Sequence, residues 1–85
     1  MAERLWLVDR TYTDKGLVSL VYATTDGDRY VQRQRSMQAL RQVDVTAAMT
    51  AEADELESVE DSETRRRYAE EASRMADEHA PDDSI

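Results

Sequence analysis

Two turn signals, each built on a glycine, divide the first 36 residues into three short runs of β-forming residues. The chain has two glycines in all, in Thr13-Asp14-Lys15-Gly16 and in Asp26-Gly27. Asp-Gly suits the two-residue type I′ hairpin, which needs positive φ at both central positions. The runs themselves are rich in Val, Leu and aromatic residues, as strands are. The sequence therefore predicts a three-stranded antiparallel β-meander over residues 1–36.

The turns also predict the register between the strands. A two-residue loop at Asp26-Gly27 places Ala23 opposite Tyr30 and Tyr22 opposite Val31. A three-residue loop at the first turn places Thr13 opposite Leu17 and Val8 opposite Tyr22. Because side chains alternate along a strand, a slip of one residue would exchange the two faces.

Both faces of this predicted sheet carry apolar side chains. One face holds Trp6, Val8, Tyr12, Val18, Leu20, Tyr22 and Val31, with Arg10, Arg33 and Arg35 at its margin. The other holds Leu5, Leu7, Leu17, Val21, Ala23 and Tyr30, with Asp9, Gln32 and Gln34. A helix can cover one face, and the middle of the chain or a second copy must cover the other. We therefore expect a homodimer, with an interface formed by Leu5, Leu7, Val21 and Tyr30 and also by Trp6.

The second half of the chain is predicted to be mainly helical. Asp61 or Ser62 caps a helix that runs to about His79, with Pro81 beyond its last turn. Its apolar stripe is Tyr68, Ala72, Met75 and His79. Residues 37–60 fit a short helical or irregular connection, and a fourth strand over residues 42–47 is the alternative. The fold predicted is α+β, a single domain of residues 1–80 in which the meander (1–36), the connection (37–60) and a long C-terminal helix (61–80) pack together, with a disordered acidic tail at 81–85.

Composition excludes several classes of protein. With no cysteine, the chain has no disulfide framework, no zinc ribbon and no thiol nucleophile. The longest apolar runs are too short for a membrane span or a signal peptide, so we expect a cytoplasmic protein with no membrane contact. An 85-residue chain also buries a thin core, which favours association with a partner.

Charge is strongly uneven along the chain. The net charge is −8, with 19 acids, 11 bases and a single lysine, Lys15. Residues 1–43 carry a net charge of +2 and residues 44–85 a net charge of −10. An acidic, lysine-poor surface repels itself and needs concentrated cations to screen it. We therefore expect a protein adapted to high salt.

Catalytic chemistry has few candidates. The one histidine, His79, could act as a lone base, but its position at a helix end favours an interaction with the negative end of the helix dipole. Acidic pairs such as Glu60-Asp61 and Glu70-Glu71 fit a solvated surface better than a metal site. The chain is predicted not to be an enzyme and to have no catalytic, cofactor-binding or metal-binding residues.

A basic stretch without acids runs from Arg29 to Gln42. Its arginines could contact nucleic-acid phosphates, with neighbouring glutamines and Tyr30 near the bases; they are Arg29, Arg33, Arg35 and Arg41. The alternative, which we favour, is that this stretch neutralises the acidic half within one chain or across a dimer. Nucleic-acid binding is therefore the second hypothesis, and a small protein–protein interaction or regulatory module is the first.

Three segments resemble small uncharacterised proteins of haloarchaea that carry domains of unknown function. They are Arg4-Leu5-Trp6-Leu7-Val8-Asp9-Arg10, Leu17-Val18-Ser19-Leu20-Val21-Tyr22-Ala23-Thr24, and Arg67-Tyr68-Ala69-Glu70-Glu71-Ala72-Ser73-Arg74-Met75-Ala76. The resemblance implies an archaeal cytoplasm. It implies no activity and no site residues.

Overall fold

The computed structural model describes residues 2–13, 15–40 and 45–85. Their main feature is a five-stranded antiparallel sheet with the strand order β4-β1-β2-β3-β5 and one long helix packed on it. The elements are β1 (Ala2–Tyr12), β2 (Leu17–Ala23), β3 (Arg29–Ser36), α1 (Met37–Leu40), β4 (Ala48–Glu52), a 3-10 turn (Ala53–Glu55), β5 (Glu57–Ser58) and α2 (Ser62–Glu78). The predicted α+β class is confirmed, and the predicted three-stranded meander is the centre of a wider sheet.

The β2–β3 register is the predicted one, but the turn that joins these strands is longer. Ala23 lies opposite Tyr30, and Thr24 N–H donates to the Arg29 carbonyl. The loop therefore has four residues, Thr25–Asp28, and the predicted type I′ turn is wrong because Asp26 has no positive φ. Instead, the Asp26 carboxylate accepts hydrogen bonds from Thr24 Oγ1 (2.5 Å) and Asp28 N–H (3.0 Å). These bonds replace the ladder pairs of a tighter hairpin.

A β-bulge at Val8 changes the predicted faces of β1. Tyr12 pairs with Val18, as predicted, but Leu7 takes the predicted place of Val8 opposite Tyr22. The register shifts between Leu7 and Asp9, because an extra residue in one strand reverses the alternation beyond it. Leu5 and Leu7 therefore share a face with Tyr22 and Val31, and the expected grouping of Leu5 and Leu7 with Val21 and Tyr30 is wrong.

The sheet is curled. β4 and β5 form its opposite edges, yet only the 3-10 turn and Leu56 separate Glu52 from Glu57 along the chain. Four strand spacings of about 4.8 Å would hold the two edges roughly 19 Å apart in a flat sheet. A connection that contains a compact 3-10 turn is shorter than this. Leu56 packs against the Leu5 and Val31 cluster, so the edges curl towards that face, which we call the concave face.

The concave face carries the larger core cluster. Leu5 and Val18 are fully buried there, and the other buried members are Leu7, Leu20, Tyr22, Val31 and Ala51. Tyr22 Oη donates to the Thr46 carbonyl at 3.0 Å, so the chain approaching β4 lies against this face. Burial raises the pKa of Tyr22, and the nearby positive charges of Arg35 and Arg10 oppose that rise. Part of residues 37–60 therefore covers the second face within one chain.

Helix α2 covers the opposite face, which we call the helix face. Ala72 is fully buried against Trp6, Ala47 and Ala48, and Met75 packs beside them. The predicted helix start is confirmed, because Asp61 is the N-cap and accepts from Thr64 N–H at 2.9 Å. The fourth strand lies at Ala48–Glu52, beyond the residues 42–47 suggested as its alternative position; residues 42–44 lie outside the described part of the chain.

The turn before β3 makes backbone contact with α2. Gly27 is buried and has φ +73°, and a Cβ there would lie 2.0 Å from the Arg65 carbonyl oxygen and 2.9 Å from the Ala69 nitrogen. Ser73 Oγ donates to the Thr25 carbonyl at 3.3 Å, on the same side of the helix. Glycine is required at this position both for its φ and for the space it leaves.

Residues 81–85, the predicted acidic tail, lie beside the segment before β4. Their backbone pairs with the segment before β4: Ala47 N–H donates to the Asp83 carbonyl and Ile85 N–H donates to the Val45 carbonyl. Ala48 N–H also donates to the Pro81 carbonyl. These bonds satisfy backbone groups that would otherwise form an open sheet edge. Acidic composition predicts solvation of the side chains, but the backbone of residues 81–85 is hydrogen-bonded to the segment before β4.

Candidate acidic-aromatic groove and basic surface

Most of the predicted interface residues lie in the core of a single chain. Leu5, Trp6, Leu7 and Val21 have at most 8% of their surface exposed, while Tyr30 is half-buried. Leu5 and Leu7 point to the concave face, and Trp6, Val21 and Tyr30 point to the helix face. They therefore do not form one continuous surface for a second chain.

A groove of about 710 Å³ opens between the β3–β5 edge and the first turns of α2. Its floor is formed by Val21, Val59 and the rings of Tyr30 and Tyr68, whose centroids are 6.2 Å apart. Its rim is polar and contains three carboxylates, with Gln32, Glu57, Ser58, Glu60, Asp61 and Thr64 in the lining. A volume of this size is typical of ligand pockets, which measure roughly 300–1,000 Å³. We call this the acidic-aromatic groove.

Two groups in the groove have perturbed acidities. The Tyr30 hydroxyl donates to the Glu57 carboxylate, and this bond, with some burial, raises the pKa of Tyr30. The Thr64 hydroxyl and then the Thr64 N–H donate to Asp61, which lowers the pKa of Asp61. The lowered pKa keeps Asp61 in its anionic form at neutral pH. The groove is anionic above an aromatic floor, which is the pattern that binds cations.

Aromatic recognition of a cation already occurs beside the groove. The Arg67 guanidinium carbon lies 5.4 Å from the centre of the Tyr68 ring, within the usual range for a cation–π contact. One π-face of Tyr68 therefore already contacts a guanidinium group.

The four arginines predicted to contact nucleic acid do not act together. Arg29 Nη1 lies 3.0 Å from a Glu3 carboxylate oxygen, and Arg33 Nη2 lies 3.3 Å from one of Glu55. Arg35 is exposed, and its Nη1 donates to the Gln34 carbonyl. Arg41 lies outside the described residues. Two of these four arginines are therefore paired with carboxylates of β1 and of the 3-10 turn, and not with α2.

A second cluster of basic residues includes Arg10 and Arg35, which the sequence pattern placed only at the margin of an apolar sheet face. Arg10 and Tyr12 of β1 and Arg35 of β3 lie on the concave face, at the end of the sheet near the β1–β2 turn. The Arg10 guanidinium carbon lies 5.9 Å from the Tyr12 ring centre, and Tyr12 is 58% exposed. Neither Arg10 nor Arg35 forms an ion pair with any residue that the structure describes. We call Arg10, Tyr12 and Arg35 the basic surface.

The remaining sequence predictions concern His79, metal ligands and membrane spans. His79 is the residue that ends α2, and its Nδ1 lies 3.6 Å from an Asp83 carboxylate oxygen, as suits a helix-end histidine. Within residues 2–13, 15–40 and 45–85, no three metal-ligating side chains come together. Among the same residues, no helix has the length and apolar character needed to cross a membrane.

Sequence reasoning did not find the groove. Tyr30 of β3 is distant along the chain from Glu57 of β5 and Tyr68 of α2, and the pairing of β5 with β3 brings them together. No sequence signal joins Tyr30 and Tyr68, because the pattern places Tyr30 on the face predicted to meet a second copy and Tyr68 on the apolar stripe of the helix.

The fold and site define a small α+β protein with a curled, five-stranded antiparallel sheet, one covering helix and an acidic-aromatic groove between them. The chain belongs to a family of unknown function, DUF7967, whose model matches residues 1–85. Neither a curated protein nor a solved structure matches it.

Proposed function

We propose that this chain is a small non-enzymatic protein–protein interaction module, adapted to high salt and working in the cytoplasm. Its docking site is the acidic-aromatic groove, and its ligand is a basic segment of a partner protein. The observation that carries the proposal is the pair of tyrosine rings, Tyr30 and Tyr68, lying beneath the carboxylates of Glu57, Glu60 and Asp61.

The groove offers a cation two kinds of interaction. A guanidinium or ammonium group over a tyrosine ring gains about 0.5–1 kcal/mol at an exposed site and about 2 kcal/mol when desolvated. An exposed ion pair adds about 0.2–1 kcal/mol. Since both interactions fall within reach of one inserted arginine, a segment with two or three basic residues suffices for weak, specific docking.

High salt weakens these two kinds of interaction to different extents. At 1 M salt the Debye length is about 3 Å, so long-range attraction between the groove and a basic partner is screened. Contacts at van der Waals distance with Tyr30 and Tyr68 are much less affected. The aromatic floor is therefore the part of the groove that suits a protein adapted to concentrated salt.

A titration with an arginine-rich peptide tests the proposal. Binding is measured by calorimetry in about 0.2 M and about 2 M KCl, with an alanine-substituted peptide as the blank. The double variant Glu57→Gln/Glu60→Gln should bind about 2- to 30-fold more weakly at the lower salt concentration, because it loses two exposed ion pairs. The control Asp77→Asn/Glu78→Gln removes the same charge at the other end of α2 and should bind normally. Equal binding by all three proteins, or an equal loss in both variants, contradicts the proposal.

Nucleic-acid binding is a second candidate function, favoured by one observation. Tyr12 is exposed beside Arg10, an arrangement that can stack a base while an arginine contacts its phosphate. Arg35 supplies a second phosphate contact, whereas Arg29 and Arg33 are engaged by carboxylates. Fluorescence anisotropy with single-stranded DNA and RNA tests this candidate. Binding that persists unchanged in Arg10→Ala/Arg35→Ala would exclude the basic surface as the site.

A further inference from the structure

The acidic-aromatic groove and the basic surface are complementary in charge but cannot meet within one chain. The groove lies on the helix face at the β3–β5 edge, where it is lined by Tyr30 and Glu57. The basic surface lies on the concave face, near the β1–β2 turn, where Arg10 and Arg35 flank the β2 strand. The sheet stands between them, so each remains open to another molecule.

The two surfaces carry chemically complementary groups. Arg10 and Arg35 are exposed guanidinium groups without a carboxylate partner among the described residues, and Tyr12 adds an exposed ring. The groove supplies Glu57, Glu60 and two tyrosine rings. Complementary potentials of this kind steer association and fix the orientation of the two partners.

We infer that the basic segment which enters the groove belongs to a second copy of this chain, so that copies associate head to tail. This inference rests on the proposed function, because it names the partner of the same groove. Arg10 and Arg35 of one copy dock between Glu57 and Glu60 of the next, with a guanidinium group over Tyr30 or Tyr68.

The placement of the two surfaces determines the kind of assembly. A two-fold dimer requires the same patch on both subunits, whereas a contact between two different patches is heterologous. Because the groove and the basic surface lie on opposite faces of the sheet, each bound copy leaves one groove and one basic surface open. Such a contact builds a ring if its rotation closes and an open chain if it does not, so the average mass rises beyond that of a dimer with concentration, and it falls as KCl screens the ion pairs.

A complementation experiment tests the inference by sedimentation velocity. The variant Arg10→Glu/Arg35→Glu keeps the groove but loses the basic surface, and Glu57→Lys/Glu60→Lys keeps the basic surface but loses the groove. Like charges across an interface cost several kcal/mol, so each variant alone should associate at least about tenfold more weakly than the wild-type chain. An equimolar mixture of the two should associate again, because the intact groove of the first variant accepts the intact basic surface of the second, and the two reversed surfaces are also complementary in charge.

Controls separate the inference from general effects of charge and from the proposed function. Arg4→Glu/Arg74→Glu makes the same change in net charge as Arg10→Glu/Arg35→Glu, but away from both surfaces, and should associate like the wild-type chain. A wild-type chain that stays monomeric at millimolar concentration and low salt, or a mixture that stays monomeric although both variants are folded by circular dichroism, overturns the inference. If Arg10→Glu/Arg35→Glu still binds the arginine-rich peptide in that case, the groove keeps its function and only the second copy is rejected as its partner. Loss of peptide binding as well rejects both.

Discussion

Replacing Gly27 by alanine tests the close approach between the β2–β3 turn and the backbone of α2. The matched control is Gly16→Ala, because Gly16 has almost the same φ, +75° against +73°, but no atom lies within 4 Å of a Cβ built there. At Gly27 the new methyl group would overlap the Arg65 carbonyl and approach the Ala69 nitrogen, both in the backbone of α2. A helix backbone cannot rotate aside as a side chain can, so α2 must move.

The same contributions to the free energy of unfolding apply to both substitutions, and only Gly27→Ala adds this steric overlap. An alanine in the left-handed region costs roughly 1–2 kcal/mol. The smaller entropy of the unfolded alanine chain returns about 0.4–1 kcal/mol. Overpacking at Gly27 adds about 1–3 kcal/mol, the usual cost of forcing extra atoms into a packed interior. Gly27→Ala should therefore be destabilised by about 1–3 kcal/mol more than Gly16→Ala, which corresponds to roughly 5–20 °C in Tm for a domain of this size.

Urea and thermal unfolding followed by circular dichroism, at one fixed KCl concentration, measure this difference. Both variants carry the same net charge as the wild-type chain, so salt effects cancel. Equal stability of the two alanine variants would refute the reasoning, because it would mean that the turn and α2 are not in backbone contact at Gly27.

Three further predictions concern charge, pH and the C-terminal segment. With a net charge of −8, the chain should gain stability as KCl rises from about 0.1 M to about 2 M, and a flat urea-unfolding midpoint would contradict adaptation to salt. Hydrogen bonds from the Thr24 hydroxyl and then from Asp28 N–H lower the pKa of Asp26. The ionised Asp26 carboxylate therefore stabilises the fold above about pH 4, and this contribution is lost as the pH falls through the lower native pKa. In urea titrations below about pH 4, the stability advantage of the wild-type chain over Asp26→Asn should shrink. Deleting residues 82–85 removes the backbone bonds made by Asp83 and Ile85, at about 0.5–1.5 kcal/mol each, and should increase amide exchange at Ala47; an unchanged exchange rate there would mean that the segment is not docked.

The predicted β2–β3 register is correct although the predicted turn is not. Loops of two and of four residues centred on the same point leave the same residues paired, so Ala23 faces Tyr30 in both cases. Asp26 and Gly27 mark the centre of the loop, and the hydrogen bonds of the Asp26 side chain determine its length. Local sequence signals are sufficient for the register, since the register depends only on that centre.

The edges of the sheet could not be predicted in the same way. β4 has the sequence Ala-Met-Thr-Ala-Glu and β5 contains two residues, so neither has the β-branched and aromatic pattern that marks a strand. Their pairing with β1 and β3 comes from tertiary contacts such as those of Met49 and Leu56 with the core. The groove depends on β5, which is why the candidate site was less predictable than the centre of the fold.

The bulge at Val8 has an electrostatic consequence. In a regularly alternating β1, the side chains sharing a face with Leu5 and Leu7 would continue with Asp9 and Thr11. The extra residue reverses this order, and Arg10 occupies that face instead, opposite Leu20. One inserted residue in a strand thus exchanges an anion for a cation at the open end of the concave face, without any change in which side chains are present in the sequence.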